Sequence, residues 1–153
     1  TKDIIASVMA TKYNVLKTEG NYNNEIGLPL TILRLKDHNA LVLEMGMSAF
    51  GEIRLLTNIA KPTIAVITNV GTSHIGNLGS RENILKAKLE ILDGMNDEGI
   101  LVFDTSKYNV SAVLLTVKLV LYTLPVLSTL YFITGADGSS FITPFTDLDI
   151  DEL

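Results

Sequence analysis

The fold of this 153-residue chain is decided by one stretch, Thr63-Ile64-Ala65-Val66-Ile67-Thr68-Asn69-Val70-Gly71-Thr72-Ser73-His74. Its first half is a short apolar run rich in β-branched side chains, which predicts a buried strand over 63–68. Its second half is small and polar, and it predicts a loop that continues to Ser80. Because strands with no polar face are typical of parallel sheets, this stretch indicates an α/β protein.

The sequence on either side of this stretch repeats the same alternation. Apolar runs over 40–45 and 99–103 predict two more buried strands. Residues 51–60 and 81–92 carry apolar side chains at helical spacing. Strand, helix, strand, helix and strand in succession predict a mostly parallel sheet flanked by helices. The N-terminal part adds a helix over 3–13, a strand over 14–18 and a helix over 26–35.

Composition excludes several classes of function. The net charge is −5, and no basic stripe is visible, so we expect no nucleic-acid partner. The chain has no cysteine, which excludes disulfides and thiolate catalysis. The N-terminus does not have the pattern of a signal peptide, and we expect a cytoplasmic protein. Because the first residue is Thr1 rather than methionine, we also expect the sequence to be part of a longer chain.

Residues 104–153 have no clear assignment. Within them, 110–133 is almost wholly apolar and long enough to span a bilayer. Lys118 and Pro125 disfavour a membrane helix, and a buried helix followed by a buried strand fits the same pattern. The segment therefore either completes the sheet or docks onto a membrane, and the chain ends in the acidic tail 147–152.

Lys88 occupies an unusual place on the helix predicted over 81–92. At about 100° per residue it falls near the centre of an apolar stripe, while Lys86, Glu90 and Asp93 fall opposite. A buried ammonium is costly, so such a lysine is paired, neutralised or chemically used. The alternative is a lysine whose head extends to water at the edge of the sheet. The stripe consists of Ile84, Leu85, Leu89, Ile91 and Leu92.

Polar groups follow two of the predicted strands, where α/β sheets bind their ligands. Glu44 ends the strand over 40–45, and a carboxylate there either holds Mg²⁺ or caps a neighbouring helix. His74 follows the strand over 63–68 and is either a metal ligand or solvated. The loop Asn21-Tyr22-Asn23-Asn24 offers amides to a polar ligand, although the same residues favour a turn. We expect Glu44 and His74 to gather at one edge of the sheet.

Four motifs, taken together and in order, resemble the Mur ligases. The resemblance is strongest to the branch that joins D-alanyl-D-alanine to a UDP-muramoyl-tripeptide, and it covers residues 1 to about 103. The motifs are Thr18-Glu19-Gly20-Asn21-Tyr22-Asn23-Asn24-Glu25-Ile26-Gly27-Leu28-Pro29-Leu30-Thr31, then Leu43-Glu44-Met45-Gly46-Met47-Ser48 with Gly51-Glu52-Ile53, then Ile67-Thr68-Asn69-Val70-Gly71-Thr72-Ser73-His74-Ile75, and finally Ala87-Lys88-Leu89-Glu90-Ile91.

The resemblance implies an ATP-dependent amide ligase of peptidoglycan synthesis, which works through an acyl phosphate. It implies that Glu44 and His74 bind Mg²⁺ and that Lys88, carbamylated by CO₂, faces a second metal ion. Catalytic roles fall to Lys88 and His74, and the partners are UDP-muramoyl-tripeptide and D-Ala-D-Ala. The resemblance places substrate contacts at Asn21, Asn23, Asn24, Thr72 and Ser73, and cofactor contacts at Asn69 and Asn109.

The chain also departs from the family's pattern. No Gly-x-x-x-x-Gly-Lys-Ser/Thr phosphate loop occurs in it, and in the family that loop lies just before the position of Thr1. We therefore expect residues 1–103 to be a P-loop-NTPase-like central domain without its phosphate loop, inactive when alone. The alternatives are a non-catalytic α/β module that docks through its hydrophobic tail and, less consistent with the asparagine loop, a folylpolyglutamate-type ligase.

Overall fold

The structure is a computed structural model that describes residues 1–104 and, as backbone, two further strands at 119–122 and 131–133. The chain divides into two compact units. The first consists of Thr1–Pro62 and Val70–Met95, and the second of Thr63–Asn69 together with the residues from Asn96 onward.

The first unit contains a small parallel sheet with its crossover helix. Strand β1 (Val15–Lys17) pairs with β2 (Ala40–Val42), with Leu16 opposite Leu41. Helix α1 (Lys2–Met9) precedes β1, and α2 (Gly27–Ile32) connects the two strands. Parallel neighbours require such a crossover, since a tight turn can join only antiparallel strands.

Three more helical segments complete this unit. They are α3 (Glu52–Ala60), the single turn α4 (Ile75–Leu78) and α5 (Arg81–Leu89), which tightens into a 3-10 helix over Glu90–Gly94. The hydroxyl of Ser80 accepts a hydrogen bond from the Asn83 N–H and caps α5. Lys61 ends α3 in the left-handed conformation with φ 48°, and Pro62 follows it.

The core of the first unit lies between α2 and α3. Leu28 on α2 is fully buried with Ile53 and Leu56 on α3. Burying each such side chain contributes about 1.5–3 kcal/mol. The hydrophobic residues packed around this cluster are Ile32, Leu43, Met45, Met47, Ala60 and Ile91.

The second unit is built on a four-stranded sheet in the order β3-β4-β5-β6. Strand β3 (Ile64–Ile67) pairs in parallel with β4 (Ile100–Asp104), and β4 pairs in parallel with β5 (Leu119–Tyr122). The last strand, β6 (Tyr131–Ile133), is antiparallel to β5. Ala65 and Ile67 are buried, whereas Ile64 and Val66 are exposed, so β3 alternates along its length.

The α/β class with parallel strands is confirmed, but several details differ from expectation. The strands form two sheets rather than one, and β2 stops at Val42 because the Glu44 N–H donates to the Thr18 hydroxyl at 2.9 Å. The predicted loop over 69–80 contains α4. Within the described residues no helix is long and apolar enough to cross a membrane. Most of 110–133 lies outside those residues.

Candidate functional site

Glu44 lies just past β2, and its carboxylate is held from two sides. The Asn23 side-chain amide donates to Oε1 at 2.6 Å. The Lys2 ammonium lies 3.7 Å from Oε2. The Glu44 side chain nevertheless remains 40% exposed. A carboxylate with fixed oxygens and access to solvent is suited to binding a cation.

Asn23 keeps this position because Gly46 leaves room for it. The Gly46 N–H donates to the Asn23 carbonyl at 2.8 Å. A Cβ on Gly46 would lie 2.9 Å from the Asn23 side-chain carbonyl oxygen, which is closer than side chains tolerate. The asparagine loop and the strand end therefore meet through both backbone and side chain.

The other two asparagines of the loop, Asn21 and Asn24, form hydrogen bonds within the loop and at the start of α2. The Asn24 side-chain oxygen accepts from the N–H groups of Gly27 at 2.8 Å and Ile26 at 3.3 Å, so it caps the start of α2. The Asn21 carbonyl accepts from the Asn23 N–H at 2.7 Å, and its side chain is exposed. Substrate contacts at Asn21, Asn23 and Asn24 stay predictions.

His74 is exposed and begins α4 with a left-handed φ of 65°. Such a φ is uncommon outside glycine and costs backbone strain. Hydrogen bonds from the Ser48 N–H, the Ala49 N–H and the Ser48 hydroxyl lower the pKa of Glu52 below its ordinary value, and the charge of His74 makes a smaller contribution. Thr72 and Ser73, in the same loop, are also exposed.

Lys88 lies on α5 and is half-buried. Ile84 and Ala87 are fully buried on the same helix, so the apolar stripe exists, but Lys88 is at its border rather than its centre. The chemical role of Lys88 stays a prediction. Of the two predicted cofactor contacts, Asn69 is exposed in the second unit, and Asn109 lies outside the described residues.

The donor groups fit a cation held by few protein ligands. Within the residues that the structure describes, no three His, Cys, Asp or Glu side chains converge on a metal-sized position. Mg²⁺ in nucleotide enzymes is commonly held by one or two carboxylates, with water and phosphate oxygens as its other ligands. The Lys2 ammonium already places a positive charge beside Glu44.

Glu90 is a buried acid that the sequence pattern placed on the wrong side of its helix. Predicted on the solvent side, it is only 8% exposed. Its oxygens accept from the Gly51 N–H at 2.8 and 2.9 Å and from the Arg54 N–H at 3.3 Å, at the start of α3. Glu90 thereby ties the end of the lysine helix to the segment that follows Glu44. The dipole of α3 also stabilises a negative charge at the N-terminus of that helix.

Replacing Glu90 by alanine should lower the free energy of unfolding by about 2 kcal/mol, because a buried carboxylate and its hydrogen bonds to the partly buried N–H groups of Gly51 and Arg54 are lost. Chemical denaturation of the full chain measures this change. The control is Glu25→Ala, since Glu25 is an exposed carboxylate in the same unit. Equal stability of the two variants would show that the Glu90 contacts carry no net stabilisation.

Comparison with known proteins identifies the family. The sequence profile of the Mur ligase middle domain matches residues 1–121. The chain belongs to this family. The UDP-N-acetylmuramoyl-tripeptide--D-alanyl-D-alanine ligase of Bacillus subtilis is 56% identical over 104 residues, which cover 67% of this chain and 23% of that protein. The enzyme of the same name from Mycobacterium tuberculosis strain H37Rv is 40% identical over 113 residues, or 73% of this chain and 22% of that protein.

Solved structures of this family share the fold. The MurF ligase from Thermotoga maritima in complex with ADP has a TM-score of 0.73 at 32% identity, covering 86% of this chain and 34% of that one. MurF from Acinetobacter baumannii has a TM-score of 0.70 at 28% identity, covering 86% of this chain and 32% of that one. The chain spans less than a quarter of the length of each of the two curated relatives from Bacillus subtilis and Mycobacterium tuberculosis.

Proposed function

We propose that this chain is the middle-domain part of an ATP-dependent ligase that joins D-Ala-D-Ala to a UDP-muramoyl-tripeptide. The observation that carries the proposal is the position of the Glu44 carboxylate just past β2. The Asn23 amide fixes one of its oxygens, and the Lys2 ammonium lies near the other. Identity of 56% to the Bacillus subtilis enzyme over 104 residues supports the substrate class. The ADP bound by the Thermotoga maritima relative supports ATP as the cofactor.

The proposed reaction has two steps. The tripeptide carboxylate attacks the γ-phosphorus of ATP, so that an acyl phosphate forms and ADP leaves. The amine of D-Ala-D-Ala then attacks the acyl carbon and loses a proton. The bond between that carbon and the bridging oxygen breaks, and inorganic phosphate leaves with the oxygen and the electron pair. Mg²⁺, when bound, would offset negative charge on the transferring phosphoryl group.

The proposal assigns a metal-binding, positioning or substrate-binding role to each site residue. Glu44 and His74 would hold Mg²⁺, and Lys88, as its carbamate, would hold a second ion. Asn23 fixes Oε1 of Glu44, so the carboxylate does not reorient when charge builds up nearby. Thr72 and Ser73 are exposed and able to donate to a polar substrate.

A chimera tests the proposal. The matched 104-residue segment of the Bacillus subtilis ligase is replaced by the corresponding residues of this chain. We expect phosphate release that requires ATP, the tripeptide substrate and D-Ala-D-Ala together. A chimera that is folded and binds nucleotide but releases no phosphate would contradict the proposal. The present chain alone should give no turnover, because ATP phosphates need the glycine-rich loop that it lacks.

A further inference from the structure

Lys2 lies between two carboxylates in the first unit. Its ammonium is 3.1 Å from Asp3 Oδ2 and 3.7 Å from Glu44 Oε2, and its side chain is only 13% exposed. The Lys2 ammonium therefore places a positive charge beside the carboxylate that the proposed function assigns to Mg²⁺.

The second carboxylate gives Lys2 an alternative partner. Lys17 donates to Asp3 Oδ1 at 2.6 Å, and this contact with that of Lys2 lowers the pKa of Asp3 to about 2. Asp3 is thus anionic across the whole neutral range. The Lys2–Asp3 contact is also shorter than the Lys2–Glu44 contact. The Lys2 ammonium can therefore keep its contact with Asp3 when it moves away from Glu44.

We propose that Lys2 is a built-in counter-ion of Glu44, which a divalent cation displaces toward Asp3. An ammonium and a metal ion near the same oxygen repel each other, so the cation binds only as Lys2 withdraws. Lys2 thereby sets how tightly the site holds its ion, and it keeps Glu44 neutralised in the absence of the ion. The inference rests on the proposed role of Glu44, but not on ligase turnover.

Calorimetric titration of the full chain with Mn²⁺, without nucleotide or peptide, tests this role. Lys2→Met should tighten Mn²⁺ binding about threefold to fivefold, the range that a partly exposed ion pair allows. Lys2→Arg keeps the charge and should leave the affinity near that of the wild type. Lys12→Met removes an exposed charge from the same part of the chain and is the matched control for net charge.

The gain must also depend on Glu44. Adding Glu44→Gln to Lys2→Met should abolish it. The proposal is overturned when Lys2→Met binds Mn²⁺ no more tightly than Lys12→Met, including when neither variant binds it. Because this titration uses no ATP or peptide, an inactive chimera would contradict the ligase function and leave the counter-ion result standing.

Discussion

Lys88→Ala in the chimera should lower kcat by at least about a hundredfold, the usual loss when one charge-stabilising group is removed from an active site. Under the proposed function the carbamate of Lys88 is an anionic metal ligand, and alanine cannot form it. Lys86→Ala is the control because Lys86 is exposed on the same helix. Lys88→Arg retains the positive charge but cannot be carbamylated, so it should be as inactive as Lys88→Ala.

A direct readout accompanies the kinetics. With ¹³C-labelled CO₂, NMR of the wild-type chimera should show a carbamate carbon that is absent from Lys88→Ala. Thermal unfolding of each variant separates lost chemistry from lost structure. If Lys88→Ala turns over nearly as fast as Lys86→Ala, the assigned role is refuted, because removal of a charge-stabilising group should cost about a hundredfold or more.

Local patterns in the sequence predicted most of the elements. Each helix and strand of residues 1–104 except the single turn α4 corresponds to a predicted segment, because periodicity and caps such as Ser80 act within a few residues. The division into two sheets was not predictable in this way. Pairing depends on which strands meet in space, and a buried run has the same composition beside any neighbour.

Glu90 shows why the helix faces were partly misassigned. Projection at 100° per residue places it opposite the predicted apolar stripe. The residues that are in fact fully buried, Ile84 and Ala87, are three apart, and Glu90 continues that spacing on the same side of the helix. There its carboxylate accepts hydrogen bonds from backbone N–H groups at the start of α3. Lys88 lies at the border of the buried face for the same reason. Only part of the predicted stripe is fully buried, and that part is centred on Ile84 and Ala87.

Of the candidate site, sequence reasoning found Glu44 and the asparagine loop but not their contact. Loop composition cannot distinguish a turn from a ligand site, and in fact Asn24 forms the turn while Asn23 reaches Glu44. Gly46 was a usable indication, since a glycine two residues beyond a strand-end acid often marks close approach of another backbone. Lys2 gave no such indication, because one lysine at the start of an amphipathic helix is ordinary.

Gly94→Ala should cost about 3 kcal/mol of unfolding free energy, the upper range for overpacking a tight interior. Gly94 ends the 3-10 helix where it crosses α3, and an added Cβ would fall on the Thr57 carbonyl. Thr57 is fully buried, and its hydroxyl donates to the Ile91 carbonyl at 2.7 Å. Relief would require moving backbone on one side of this crossing, which breaks that bond or opens the core.

Urea denaturation of the full chain measures the loss, and Gly76→Ala is its matched control. Gly76 lies on α4 with nothing within 4 Å of an added Cβ, so alanine there should be neutral or slightly stabilising. A Gly94→Ala variant too unstable to purify agrees with the expected direction, provided that Gly76→Ala is recovered normally. Equal unfolding midpoints for the two variants would mean that α3 and the 3-10 helix are not in close contact at Gly94.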